Sequence, residues 1–172
     1  MRQPVVPRMN PIQARAWIAL VSLGQLLPQA LDEQLTADAG IINFEYGILT
    51  TLNIATDQTL RAGELAAVLN APAPRLSKAV TRLADRGLVE RVACPSDGRA
   101  INIRLTRDGR RAWLKATPPH VELARDTLMA DLDDAQLTTL AELLEKVIGR
   151  LDPHHTLGVL PDEAEAPVPN AE

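Results

Sequence analysis

Apolar residues recur through most of this chain every three or four positions, the spacing of an amphipathic α-helix. Several of these stretches open on residues that suit a first helical turn: Pro11 at the first, and the expected capping residues Asn43, Thr106 and Asp133 at later ones. Pro28 and the pair Pro118-Pro119 interrupt the pattern, so we expect a kink or a break at each of them. The predicted helices cover about 11–40, from Asn43 onward, 60–70, 75–86, 107–132 and 134–151.

A different pattern, typical of β-strands, occurs near the middle of the chain. Apolar and polar residues alternate over Ala100–Leu105, and a shorter extended run, Val89–Val92, precedes them. The turn-rich segment Cys94–Arg99 separates the two runs. The alternation predicts a β-hairpin, and Gly87 should end the helix before it, because glycine accepts a positive φ without penalty.

The helix that precedes the hairpin has two chemically distinct faces. Leu76, Val80, Leu83 and Ala84 share one side, whereas the other side carries short hydroxyls and long cations. Hydroxyls, amines and guanidinium groups bond phosphates and base edges. A short amphipathic helix followed by a hairpin with a basic tip is typical of a winged helix, whose helix enters the DNA major groove. The predicted DNA-binding residues are Arg75, Ser77, Lys78, Thr81, Arg82, Arg86, Asp97 and Arg99.

These residues have different expected roles. We expect base contact from Lys78 or Arg82 and phosphate contact from Arg75. Arg99, at the tip of the predicted wing, would enter the minor groove, where narrow A·T tracts concentrate negative potential. Asp97 would orient Arg99 through a charge-assisted hydrogen bond, although Asp before Gly is also a common turn former.

The charge of this region differs from that of the whole chain. The 172 residues carry a formal net charge of −4, which alone would argue against a nucleic-acid partner. From Arg75 to Arg111, however, ten Lys or Arg residues stand against four Asp or Glu, a local balance of +6. A DNA phosphate is attracted by the charge of the nearby surface rather than by the net charge of the whole chain, so the region remains a predicted DNA-binding surface.

Several segments resemble the multiple-antibiotic-resistance regulator (MarR) family of bacterial transcription factors. They are Glu64-Leu65-Ala66, Ser77–Leu83, Arg86–Arg91, Asp97–Ala100 and Leu105-Thr106 with Gly109 three residues on. The Asp-x-Arg and Leu-Thr motifs are the more specific ones, and the likeness extends from about Gln13 to Leu151. It implies a homodimeric winged helix-turn-helix repressor. Such a repressor would bind a palindromic operator in double-stranded DNA and leave it when a small molecule binds.

The resemblance also implies a ligand crevice among the first, second and fifth helices. The large aromatic side chains available to stack on a small aromatic effector are Trp17, Phe44, Tyr46 and Trp113. Simple packing is the favoured explanation for each of them, since buried aromatic side chains usually belong to a core.

The fold class expected from these patterns is mainly α with a small β-hairpin wing. One domain should cover 11–151, with the DNA-binding winged helix at about 43–106 and dimerisation helices at about 11–40 and 107–151. The strong apolar stripes of the first and last helices favour a two-fold dimer built from both ends of the chain. The remaining segments, 1–10 and 152–172, are rich in proline or acid and are expected to be flexible tails.

Composition narrows the remaining possibilities. Apolar residues make up 46% of the chain and aromatics only 2%, so the core must consist mainly of aliphatic side chains on packed helices. A single cysteine, Cys94, excludes an internal disulfide and is compatible with a reducing cytoplasm. We interpret it as an unreactive surface thiol, with redox activity as the alternative. No apolar run approaches a membrane span, and no residue cluster suggests a metal site or a cofactor.

The sequence lacks the features typical of other classes of protein. An enzyme is not favoured, because no nucleophile elbow, phosphate loop, zinc signature or glycine-rich fingerprint occurs. A winged helix used for protein contact would need an apolar or acidic outer face over Arg75–Arg86, and that face is basic. A DNA-binding activator and an effector-independent regulator both stay open within the leading class.

Overall fold

The computed structural model describes residues 8–94 and 97–152, apart from the side chains of residues 94, 97–100 and 128. These ranges contain six α-helices and one three-stranded antiparallel sheet. The predicted tails fall mostly outside them. The elements are α1 (Pro11–Ala39), α2 (Asn43–Ile54), β1 (Thr59–Arg61), α3 (Ala62–Val68), α4 (Ala73–Asp85), β2 (Val89–Cys94), β3 (Asp97–Leu105), α5 (Arg107–Leu123) and α6 (Asp134–Leu151).

Prolines within the helices do not have the expected effect. Helix α1 runs for 29 residues through Pro28, and α5 continues through Pro118 and Pro119. The predicted breaks at these prolines are therefore wrong. Pro28 and Pro118 are exposed, so each ring is accommodated toward solvent, and the lost hydrogen bond is one among many in a long helix. After α5, a π-helical turn at Ala124–Met129 leads toward α6.

The start of α2 differs from the predicted one. Asn43 was expected to be the N-cap, but it is the first helical residue and Ile42 precedes the helix. The Asn43 N–H donates to Asp32 Oδ1 at 2.6 Å, and the Ile42 N–H donates to Glu45 Oε2 at 3.3 Å. Two carboxylates thus take the place of the predicted amide cap, which also suits the positive end of the helix dipole.

The sheet contains a strand that the sequence pattern did not reveal. The predicted helix at 60–70 begins only at Ala62, because Thr59–Arg61 forms β1 and pairs antiparallel with β3. The strand order is β1-β3-β2, which places β3 in the centre. Three residues are too few for an alternation to be visible, and the pairing partner lies about forty positions away.

The hairpin is longer than predicted. Strand β2 extends to Cys94 and β3 begins at Asp97, and these two residues pair with each other beyond an irregularity at Ala93/Cys94. The predicted loop over 94–99 is therefore wrong at Cys94 and at 97–99, which lie in strands, while residues 95 and 96 lie outside the described ranges; Arg99 belongs to the β3 segment rather than to a loop tip. Backbone pairing continued past the point at which the side-chain alternation stops, and such pairing does not depend on side-chain type.

The core lies between α2, α4, α5 and the sheet. Thr106 caps α5 as predicted, with its hydroxyl accepting from the Gly109 N–H at 2.9 Å. Gly109 allows α5 to approach the hairpin, because a Cβ there would stand 1.9 Å from the Leu88 carbonyl oxygen. The buried core residues are Leu35, Ile41, Ile48, Leu49, Leu52, Leu65, Leu76, Ala79, Val80, Leu83, Leu88, Val89, Ile103, Leu105 and Ala116.

The terminal helices contribute little to this core. In α1 only Leu35 is buried, and in α6 no residue is. The predicted cap of α6 is present, since Asp133 and Gln136 bond each other's backbone N–H groups. Within the described ranges, no helix is both long enough and apolar enough to traverse a membrane.

Candidate nucleic-acid interface

Helix α4 presents the predicted hydroxyl and cationic face to solvent. Its inner residues, Leu76, Ala79, Val80 and Leu83, are all buried. The helix starts without a side-chain cap after Pro72. It ends before Gly87, whose φ of +70° is the left-handed conformation expected there. The apolar face therefore fixes the rotation of α4 about its own axis and decides which side chains face outward.

Arg75 lies at the first turn of α4 and stacks on an aromatic ring of α2. Its guanidinium carbon is 4.2 Å from the centre of the Phe44 ring. A cation over an aromatic face is attracted by the ring quadrupole, and the N–H edges of the guanidinium stay available. The contact gives Phe44 a role in holding Arg75, one that differs from the effector stacking considered for it.

Arg82 is linked to a buried acid. Its Nε donates to Glu45 Oε1 at 2.7 Å, across 37 positions of sequence. The Arg82 side chain is 44% exposed and that of Glu45 only 6%. Sequence reasoning placed Arg82 on the solvent face but missed Glu45. The position of Glu45, three residues after Ile42, indicates a backbone cap, whereas no sequence pattern predicts its ion pair with the distant Arg82.

Arg86 makes a different kind of contact, with the end of α1. Its Nη1 donates to the Gly40 carbonyl at 2.8 Å, and its Nη2 approaches the Ala39 carbonyl at 3.5 Å. These carbonyls belong to the C-terminal end of α1, where cations are stabilised by the helix dipole. Arg86 thus joins α4 to α1, which was not expected of a predicted DNA contact.

The wing is joined to α4 by Arg91, a residue that the sequence analysis counted only as charge. Its Nη2 donates to Thr81 Oγ1 at 2.7 Å and lies 3.5 Å from the Ser77 carbonyl oxygen. The Thr81 hydroxyl itself donates to that same carbonyl at 2.9 Å. Thr81 is therefore engaged within the protein, whereas the Ser77 hydroxyl and the Lys78 amine make no such bond to the described residues.

Among the side chains that the structure describes, the strands of the wing carry one cross-strand ion pair. Arg104 Nε donates to Glu90 Oε1 at 2.7 Å, and the hydrogen bond and charge of Glu90 raise the pKa of Arg104. Both side chains are exposed, so the pair is worth little to stability. The side chains of Cys94, Asp97 and Arg99 lie outside the described residues, and their expected roles stay predictions.

An apolar recess of about 240 Å³ lies between α4, α3 and β3, beside the wing. Its walls are almost entirely hydrocarbon, and Arg91 stands among them. The Arg91 contacts thus link the wing to α4 at this recess, in addition to the buried residues of α4 and the strands that pack together in the core. The residues that line it are Ala62, Gly63, Ala66, Ala73, Leu76, Ser77, Val80, Arg91, Ile101 and Ile103.

The four aromatic residues considered for an effector do not form one group. Trp17 is exposed on α1 (56%), and Phe44 packs under Arg75. Tyr46 and Trp113 are both half-buried between α2 and α5. The Tyr46 hydroxyl lies 3.1 Å from Thr117 Oγ1, and Trp113 Nε1 donates to Thr50 Oγ1 at 3.0 Å.

A histidine joins this aromatic pair. The His120 ring lies 4.4 Å from the Tyr46 ring, centre to centre, and its Nδ1 is 3.2 Å from Gln34 Oε1 of α1. Partial burial lowers the pKa of His120. The junction of α1, α2 and α5 therefore contains polar groups, which are bonded to one another. No three His, Cys, Asp or Glu side chains of the described ranges converge as metal ligands would.

Known proteins share this arrangement of helices and wing. The MarR family model matches residues 40–100. Sco3205 from Streptomyces coelicolor, a MarR family transcriptional regulator whose crystal structure is in complex with DNA, superposes with a TM-score of 0.82. It is 32% identical, over 88% of this chain and 95% of that one. The chain belongs to the MarR family.

Two further structures agree with this assignment. AbsC, a MarR family regulator from the same organism, has a TM-score of 0.80 at 27% identity, over 86% of this chain and 99% of its own. BldR from Sulfolobus solfataricus has a TM-score of 0.71 at 20% identity, over 83% and 99% of the two chains, which shows the fold alone. The expected MarR family winged helix is confirmed, and this MarR family chain is a DNA-binding transcriptional regulator.

Proposed function

We propose that this MarR family regulator is a homodimeric repressor that binds a palindromic operator in double-stranded DNA. Helix α4 would lie in the major groove and the wing beside it. The observation that carries the proposal is the outer face of α4, where Ser77 and Lys78 are exposed on a helix whose inner face is buried. A helix whose exposed amine and hydroxyl make no hydrogen bond to the described residues suits the reading of base edges.

The dimer is proposed from the terminal helices. Large apolar side chains on α1 and α6 are 37% to 81% exposed, which is unusual for a helix face that stays in water. A two-fold pair of such faces would cover both, and would hold two α4 helices at the spacing of successive major grooves, about 34 Å. The exposed side chains are Ile12, Trp17, Ile18, Leu20, Val21, Leu23 and Leu26 of α1, and Leu140, Leu143, Val147, Ile148 and Leu151 of α6.

We further propose that a small aromatic effector releases the operator by binding at the junction of α1, α2 and α5. Tyr46 and Trp113 supply aromatic surface there, and their polar atoms already have partners. A ligand that inserts must replace those hydrogen bonds, which favours an aromatic ring with its own acid or hydroxyl group. It shifts the DNA-binding equilibrium only through its different affinities for the two states of the dimer.

The test is a fluorescence-anisotropy titration of two duplexes, one from upstream of the chain's own gene and one scrambled. We expect preference for the first duplex, an affinity that falls steeply with salt, and release by small aromatic acids. Lys78→Ala should weaken binding by about 1–3 kcal/mol. Lys115→Ala, which removes another exposed amine, from α5, should leave binding nearly unchanged. Equal losses from the two variants would rule out α4 as the reading helix.

A further inference from the structure

Glu45 is a buried acid directly beneath the DNA-facing helix. In the described part of the chain, only Glu45 and Asp152 are both polar and buried, and Glu45 is 5% exposed. A buried carboxylate is costly unless it is paired and hydrogen-bonded. Both oxygens of Glu45 are used: Oε1 accepts from Arg82 Nε at 2.7 Å, and Oε2 accepts from the Ile42 N–H at 3.3 Å. The carboxylate is thus held at two points and cannot rotate freely.

The nitrogen that Arg82 uses for this pair decides what the rest of its guanidinium can do. Arginine has five N–H donors, and a contact through Nε leaves the two terminal nitrogens as a separate fork. No described residue accepts a hydrogen bond from either terminal nitrogen of Arg82. The side chain is 44% exposed, so that fork is accessible. An open guanidinium fork matches two oxygens of a phosphate, or O6 and N7 of guanine.

Arg86, one turn further along α4, provides the contrast. It donates through its terminal nitrogens to the carbonyls of Gly40 and Ala39, so its fork is occupied by the protein. Arg86 is therefore an anchor, whereas Arg82 is held by its Nε and keeps its outer edge open. Lys78 is exposed one turn before Arg82, which places its amine and the open fork on the same stripe of the helix.

We propose that Glu45 is a positioning residue for DNA recognition. It fixes Arg82 by the Nε edge, so that the terminal fork is presented to a phosphate or a guanine of the duplex. Holding the guanidinium in place before binding removes side-chain freedom that would otherwise be lost on contact with DNA. The inference rests on the proposed binding of DNA by α4, and it assigns to Glu45 an effect that acts only through Arg82.

A double-mutant cycle tests this directly. Operator affinity is measured for the unmodified protein, Glu45→Gln, Arg82→Ala and the double variant, at a temperature well below each thermal unfolding midpoint. Glu45→Gln keeps the shape of the side chain and an acceptor oxygen but removes the charge. We expect it to weaken binding on the order of tenfold, as for one charge-assisted contact, and to have no effect once Arg82 is absent.

Glu64→Gln is the matched control. Glu64 is the third residue of α3, and its Oε2 accepts from the Arg61 N–H at 3.2 Å, the same capping bond that Glu45 makes in α2. No ion pair between Glu64 and α4 is present among the described residues. Loss of a cap alone would therefore appear in both Glu→Gln variants, whereas loss of positioning would appear only in Glu45→Gln. Operator affinity should be unchanged in Glu64→Gln.

The same titrations identify what Arg82 contacts and can overturn the proposal. Arg82→Ala should either lower the slope of log affinity against log salt by about one, for a phosphate, or relax the preference at one base pair, for a guanine. An effect of Glu45→Gln that is equal with and without Arg82, or no effect of Glu45→Gln at all, would overturn the positioning role. If the unmodified protein bound no duplex, the proposed function would fail first, independently of Glu45.

Discussion

The winged region (about 43–106) and the terminal helices α1 and α6 both carry regularly spaced apolar residues. These residues are buried in the winged region and mostly exposed on the terminal helices. Along α4, the four inward apolar side chains are at most 3% exposed. Along α6, an equally regular apolar stripe has no buried member, and Leu151 is 80% exposed. The difference shows that periodicity predicts which face of a helix will be covered, but it does not show which part of the protein covers that face. In one region the rest of the chain does so, and in the other we propose a second copy.

The largest expected effect is the difference in unfolding free energy between two leucine truncations, one in each region. Leu49→Ala removes a fully buried side chain of the core and should cost about 2–5 kcal/mol of unfolding free energy. Leu143→Ala, at a position 55% exposed on α6, should cost less than about 0.5 kcal/mol in the monomer. Denaturant unfolding at several protein concentrations measures both.

The concentration series also tests the second copy. If α6 is covered in a dimer, the denaturation midpoint of the Leu143→Ala variant should fall further below that of the unmodified protein as the protein concentration rises and dimers become populated. Sedimentation should show its weaker self-association. A Leu143 side chain whose removal changes neither measurement would mean that the exposed stripe is not an interface.

A smaller effect is expected from a methyl group added where α5 meets the hairpin of the winged region. Gly109→Ala places a Cβ against the Leu88 carbonyl oxygen, at 1.9 Å in the undistorted backbone, so α5 must move away from the hairpin. We expect a loss of about 1–3 kcal/mol, as for other overpacked sites. Gly63→Ala in α3 meets nothing within 4 Å and should be neutral or slightly stabilising, by up to about 1 kcal/mol. Thermal unfolding of the pair gives the comparison.

The smallest effect concerns pH at the boundary between the two regions. Burial lowers the folded-state pKa of His120 below its ordinary 6.5, so the unfolded chain binds the proton more readily. The contribution of neutral His120 to stability is therefore complete above about pH 6.5 and is lost as the pH falls through that value toward the lower folded-state pKa. The unfolding free energy of His120→Gln should lack this decline between pH 7.5 and pH 5.5. Parallel pH curves for the two proteins would contradict the prediction.

The features that the sequence predicted are those written in local chemistry. The apolar stripe of α4, the end of that helix before Gly87 and the caps at Thr106 and Asp133 each depend on residues within one turn of one another. The outward position of Lys78 followed from the same stripe. Each of these elements can be predicted by itself, because its stability depends mainly on residues close to it in sequence.

The features that it missed are set by distant partners. Strand β1 exists because β3 lies beside it, and the Glu45–Arg82 pair joins two helices that the sequence keeps 37 positions apart. The effect of Pro28 was misjudged for a related reason. The local penalty of a proline is known, but the sequence does not show that its ring will face solvent on a 29-residue helix.

The two tryptophans provide separate optical signals for the two regions. Trp17 stands 56% exposed on α1, while Trp113 is half-buried and hydrogen-bonded to Thr50 near the winged helix. These are the chain's only indoles. With Trp113 replaced by Phe, the emission maximum of the remaining indole should shift to the blue if subunits associate through α1 as proposed. With Trp17 replaced instead, the emission should follow changes between α2 and α5, so assembly and rearrangement can be timed separately with two single-tryptophan variants.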